Sequence, residues 1–134
     1  MARRARDPHD TRLTDAELEI MDALWAAGEA DVGELVERLA DGRAYTTVAT
    51  LLKILEQKGH VTAGREGRRL VYRPSTDRPR WERAAVGDLL QRVFQGNSSA
   101  LVRSLLETGA VDGDELREIW RTLGEADDPS QERS

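Results

Sequence analysis

From Arg43 through Ile54 the chain carries no acid, and Tyr45, Thr46, Thr47, Ala49, Thr50 and Lys53 fall within that stretch. Threonine is a mediocre helix former: its branched side chain loses rotamer freedom and its hydroxyl competes for the backbone. Three threonines in five residues therefore ask for a role other than helicity. A threonine hydroxyl can meet a base edge, its methyl can meet a thymine methyl, and the small Ala49 lets a backbone come close. That is the chemistry of a surface that reads a duplex groove. A merely solvated polar face is the alternative.

The cations around this stretch are suited to phosphate. Arg43 precedes it, Lys53 lies one turn on, and Arg65, Arg68 and Arg69 surround Gly67. Such contacts fix register and give salt-dependent affinity, while base contacts give specificity. With about four phosphates neutralised per subunit, a pair of subunits would show a slope of log K against log[salt] near -7. Catalytic chemistry lacks parts. There is no cysteine, no glycine-rich phosphate loop and no metal-spaced cluster, and the two histidines are His9 and His60. Asp112, Asp114 and Glu115 resemble paired carboxylates, but helix capping accounts for them. The expectation is a binding protein without catalytic residues, metal or cofactor.

The formal net charge of -5 argues against a nucleic-acid partner, yet its distribution reverses the argument. Residues 13–41 are net -8, whereas residues 42–80 are net +6. A phosphate within a Debye length of ~8–10 Å meets the local field, not the sum. Aromatic residues are only 4%, too few for a wide stacking platform for single strands. No apolar run approaches the ~20 residues of a spanning helix, and Met1-Ala-Arg-Arg-Ala-Arg leads into no apolar signal core. With no cysteine, a reducing cytoplasm is the expected location.

These residues need elements to position them. Thr14-Asp-Ala-Glu17 is a capping box opening a helix with Leu18, Met21, Leu24 and Trp25, ending at Gly28. Asp31-Val-Gly-Glu34 opens a second, carrying Val32, Leu35, Val36 and Leu39 to about Asp41-Gly42. A third runs from about Tyr45 to Lys58-Gly59 with Val48, Leu52 and Leu55 facing the core, Tyr45, Thr46, Ala49, Thr50 and Lys53 opposite, and Thr47 on the boundary. Two β-prone runs, His60–Gly64 and Arg69–Arg73, flank a glycine turn and read as a hairpin. Either Leu70 and Tyr72 or Val71 would face inward. Helical periodicity returns after Asp77 in three segments, the second capped by Asn97 or Ser98 and the third opened by Asp112. Three short helices and a hairpin make a winged helix-turn-helix, whose third helix enters the major groove.

At this level the sequence resembles a known family. The segments Leu13-Thr-Asp-Ala-Glu-Leu-Glu-Ile-Met-Asp-Ala-Leu-Trp25 and Ala44-Tyr-Thr-Thr-Val-Ala-Thr-Leu-Leu-Lys-Ile-Leu-Glu-Gln-Lys-Gly59, with Gly67-Arg68 and Tyr72-Arg-Pro74, are similar to the BlaI/MecI/CopY group of bacterial repressors, the penicillinase repressor family. The resemblance implies a mainly α fold with a small β-hairpin wing. Its expected parts are a disordered basic arm (1–12), a winged-helix DNA-binding domain (13–75), a helical dimerisation domain (76–124) and a disordered tail (125–134).

It also implies a homodimer on a dyad operator of TACA/TGTA type, with β-lactam-response genes among the family's targets. Thr46, Thr47, Thr50 and Lys53 take the recognition-helix positions and Arg68 the wing position near the backbone. Trp81, Leu89, Val93, Phe94, Leu101, Leu105, Leu116, Ile119, Trp120 and Leu123 are the expected dimer residues, too few to close a core alone. In the β-lactam branch a membrane sensor protease cuts the repressor at an Asn-Phe bond; the matching bond here is Ser104–Leu105, so that site is not preserved. The cysteine pairs of the copper-sensing branch are absent. The competing expectation is a winged helix that binds proteins and never touches DNA.

Overall fold

The computed structural model describes residues 11–39 and 42–126. Most of the expected basic arm, Asp41, His9 and the tail from residue 127 lie outside the described residues. In order, the elements are α1 (Asp15–Ala27), α2 (Val32–Arg38), α3 (Tyr45–Lys58), β1 (Val61–Glu66), β2 (Arg69–Pro74), α4 (Arg78–Arg92), α5 (Ser98–Glu107) and α6 (Gly113–Ala126). The chain forms two compact units that divide between Asp88 and Leu89, inside α4.

The first unit is built by its caps. The Thr14 hydroxyl accepts from the Glu17 amide while the Glu17 carboxylate accepts from the Thr14 amide, and Asp31 and Glu34 repeat the exchange at α2. Gly28 ends α1 at φ 85° and Gly59 ends α3 in the left-handed conformation, which a side chain would resist. Helix α2 stops earlier than its apolar pattern suggested, because Leu39 turns to extended backbone. Ile20, Met21 and Leu24 of α1, Leu35 of α2, and Val48, Leu52 and Leu55 of α3 meet in one buried core. Each such side chain contributes roughly 1.5–3 kcal/mol by leaving water. That burial fixes which face of α3 points outward.

The hairpin is antiparallel, in register from Val61 opposite Pro74 to Glu66 opposite Arg69. Its strands run further than expected, leaving only Gly67 and Arg68 as the turn. Gly67 has φ 63°, and glycine at the first central position suits a II′ turn, whose twist matches the strands. Ala30, between α1 and α2, bridges to the other edge of β2: its amide donates to the Tyr72 carbonyl at 3.0 Å, and the Tyr72 amide donates back at 2.9 Å. Val71 and Tyr72 are both buried, on opposite strand faces, while Leu70 is partly exposed. Neither one-sided register holds, because β2 is covered on both faces at that point.

The second unit contains the end of α4 with α5 and α6. Asn97 caps α5 by accepting from the Ala100 amide, and Asp112 accepts from the Glu115 amide at the start of α6. No residue of α4 or α5 is buried. Val93, Leu105, Ile119, Trp120 and Leu123 are exposed, Trp120 to 75%.

Candidate nucleic-acid interface

The inward set Val48, Leu52 and Leu55 directs the other side of α3 to solvent. Tyr45, Thr46, Thr47, Thr50 and Lys53 are all exposed. Thr46, Thr50 and Lys53 follow one another at helical spacing and form a single stripe. Gln57, outside the expected set, continues that stripe by one turn and is exposed too. The i+4 step from Lys53 is the sequence signal that points to it. Thr47, expected at the boundary, is fully outward, whereas Ala49 is half-buried and packs on the core. Ala49 thus lies at the edge of the open face, where its small size limits crowding. Ala44 supplies no side-chain cap, so the first-turn amides of α3 keep donors for water or an incoming anion.

The wing stands beside the start of this helix. Tyr45 shares an open depression of about 430 Å3 with Arg68, Arg69 and Leu70 of the hairpin and Asp31, Val32 and Gly33 of α2. Recognition helix and wing tip therefore present one continuous surface.

Pairing of charges decides which cations are available on it. Arg69 donates to Asp31 at 3.1 Å and to Glu34 at 2.6 Å, and lies 3.8 Å from Glu66. Arg73 pairs with Glu29 at 2.8 Å and with Glu66 at 2.6 Å. Arg43 pairs with Glu19 at 2.9 Å, and Lys58 pairs with the buried Glu17 at 2.9 Å. The acidic segment of the sequence thus neutralises much of the basic one. The Glu34 amide, and then the Arg69 guanidinium, hold the Asp31 carboxyl below its ordinary value. Burial pushes the Glu17 carboxyl up, but the Thr14 amide and the Lys58 ammonium outweigh it and bring the group below its ordinary value.

Of the cations between residues 42 and 73, three stay clear of carboxylates. Among the described residues, Lys53, Arg65 and Arg68 are exposed and pair with no carboxylate; Arg65 donates only to the Arg68 carbonyl, at 3.3 Å. They mark the outer face of α3 and the tip of the wing. Arg69, expected on phosphate, ties the wing to α2, and Arg43, also expected there, is held against α1. Trp81, expected among the dimer residues, packs on Trp25 of its own chain with ring centroids 5.7 Å apart. His60 lies ahead of β1 and is buried, and no group of metal-binding side chains occurs among the described residues.

With the geometry in place, comparison with known proteins decides the family. The sequence model described as penicillinase repressor matches residues 13–125. The chain belongs to the penicillinase repressor family. The penicillinase repressor of Bacillus licheniformis is 28% identical over 116 residues, covering 85% of this chain and 91% of that one. The transcriptional regulator BlaI of Mycobacterium tuberculosis is 34% identical over 118 residues, covering 84% of this chain and 86% of that one. Among solved structures, the DNA binding domain of the repressor BlaI is 31% identical, with TM-score 0.46, covering 51% of this chain and 85% of that one. The CopR repressor structure is 37% identical, with TM-score 0.42, covering 47% and 94%. This member of the penicillinase repressor family is a transcriptional repressor with a winged-helix DNA-binding domain.

Proposed function

We propose that the repressor acts as a homodimer on a dyad operator, each subunit laying the outer face of α3 in one major groove and its wing along the adjacent backbone. Thr46, Thr47 and Thr50 read base edges, Tyr45 and Ala49 shape the approach, and Lys53, Arg65 and Arg68 meet phosphates. The observation that carries the reading is the selective pairing of charge. Arg43, Arg69 and Arg73, which flank this face, pair with carboxylates, while the three cations on it do not. Half-sites of TACA/TGTA type and control of β-lactam-response genes are what family membership adds to the proposal.

The second subunit joins through the distal unit, where Val93, Leu105, Ile119, Trp120 and Leu123 expose apolar surface to water. Such a patch favours burial, and a two-fold pairing matches a palindromic site. No helix among the described residues is long and apolar enough to cross a membrane, and the proposed site of action is the cytoplasm, by binding and not catalysis. The Ser104–Leu105 bond lies inside α5 rather than in an exposed loop tip, where proteolysis concentrates. Cutting there by a membrane sensor protease is therefore not part of the proposal.

Salt titration tests it against the protein-binding alternative. Three free cations per subunit, in place of four, give a log K against log[salt] slope of about -5 for a dimer. A slope near zero would overturn DNA binding through this face.

A further inference from the structure

Each nitrogen of the Arg69 guanidinium faces a different carboxylate. Nε donates to Asp31 at 3.1 Å, Nη2 donates to Glu34 at 2.6 Å, and Nη1 lies 3.8 Å from Glu66. The two carboxylates at the start of α2 are themselves held by backbone: Asp31 accepts from the Glu34 amide at 2.8 Å, and Glu34 accepts from the Asp31 amide at 2.9 Å. Arg69 therefore meets a fixed point rather than two swinging side chains. Exposed ion pairs add little to stability, but a planar fork engaged at every edge allows few arrangements. Beyond Arg69 only Gly67 and Arg68 form the turn, and the Arg68 carbonyl accepts from Arg65 at 3.3 Å. Asp31 and Arg69 also line the depression shared by Tyr45 and Arg68. All of these residues belong to the first unit.

We propose that Arg69 is a positioning residue: it sets the gap between the start of α3 and the wing tip, so that Arg68 is aimed at the DNA backbone before the duplex arrives. The inference rests on the phosphate role of Arg68 proposed above. A free wing would have to be ordered on binding, at a cost in affinity, whereas a tethered wing is ordered already on folding. Arg69 acts through the hairpin and gives its own donors to carboxylates. Its neighbour is the one that reaches phosphate.

A double-mutant cycle tests this, on the affinity of the full chain for a random-sequence duplex at low salt and a temperature where every variant is folded. In the wild-type background Arg68→Ala should weaken binding about tenfold, as loss of a charge-assisted contact does. In an Arg69→Met background the same change should cost about twofold or less, because an untethered Arg68 has little left to lose. Glu34→Gln should shrink the loss likewise. It keeps the α2 capping box and removes one partner of the fork, and its general effect on attraction to DNA cancels in the cycle. A role confined to stability would leave both cycles without coupling. An undiminished loss from Arg68→Ala in either folded background would overturn the anchor. No loss from Arg68→Ala in the wild-type background would instead overturn the phosphate role of Arg68, and the anchor with it.

Discussion

Arg69 of β2 reaches across to α2 and places its Nε 3.1 Å from the Asp31 carboxylate, the same carboxylate that caps α2 through the Glu34 amide. One side chain thus joins the wing to the helix preceding the recognition helix, while its neighbour Arg68 stays free. Adjacent arginines have opposite assignments.

Replacing each separates those assignments. Arg68→Ala should leave thermal stability unchanged, weaken binding to every duplex alike and reduce the salt slope of a dimer by about 2. Arg69→Met should lower stability modestly, as loss of an exposed ion-pair network does, seen as a lower melting temperature. A melting temperature unaffected by Arg69→Met would contradict its tethering role.

Thr50 lies mid-stripe on α3, exposed and away from every cation–carboxylate pair. Thr50→Ala should cost about 1–3 kcal/mol of discrimination at one base position, with little loss on random DNA. Competition binding between a selected site and single-base variants measures it. Equal weakening on all sequences would place Thr50 with the phosphate contacts instead.

Acid should destabilise the winged helix in a definite window. The Glu17 and Asp31 carboxyls both lie below their ordinary values of 4.5 and 3.8 in the folded chain, so the unfolded chain binds more protons. Their stabilisation is complete above those ordinary values and is lost as pH falls through the folded ones. Glu17→Gln should lower neutral-pH stability by about 2 kcal/mol and flatten the decline below about pH 4.5. Denaturant titrations across pH would show it; an unchanged acid limb would remove Glu17 from the account.

Much of this was legible because local chemistry sets it. Thr14 with Glu17 began α1, Gly59 ended α3, and the spacing of Val48, Leu52 and Leu55 oriented the threonine face. The misses are long-range. Periodicity shows which residues turn inward, but not that Asp31 takes Arg69, 38 residues away, or that Trp81 takes Trp25. Counting charge along the chain does not show that folding brings the acidic block onto the basic one. The strand partnership of Ala30 with Tyr72 was equally hidden, as a single bridge leaves no alternation to detect.

Mapping of the duplexes bound by the purified full chain across genomic DNA tests most directly whether the exposed face of α3 reads sequence in two copies. The result expected is one shared dyad, lost from the bound set when Thr46 and Thr50 are both replaced by alanine. A bound set with no common motif, or the same dyad recovered from the double variant, would contradict it.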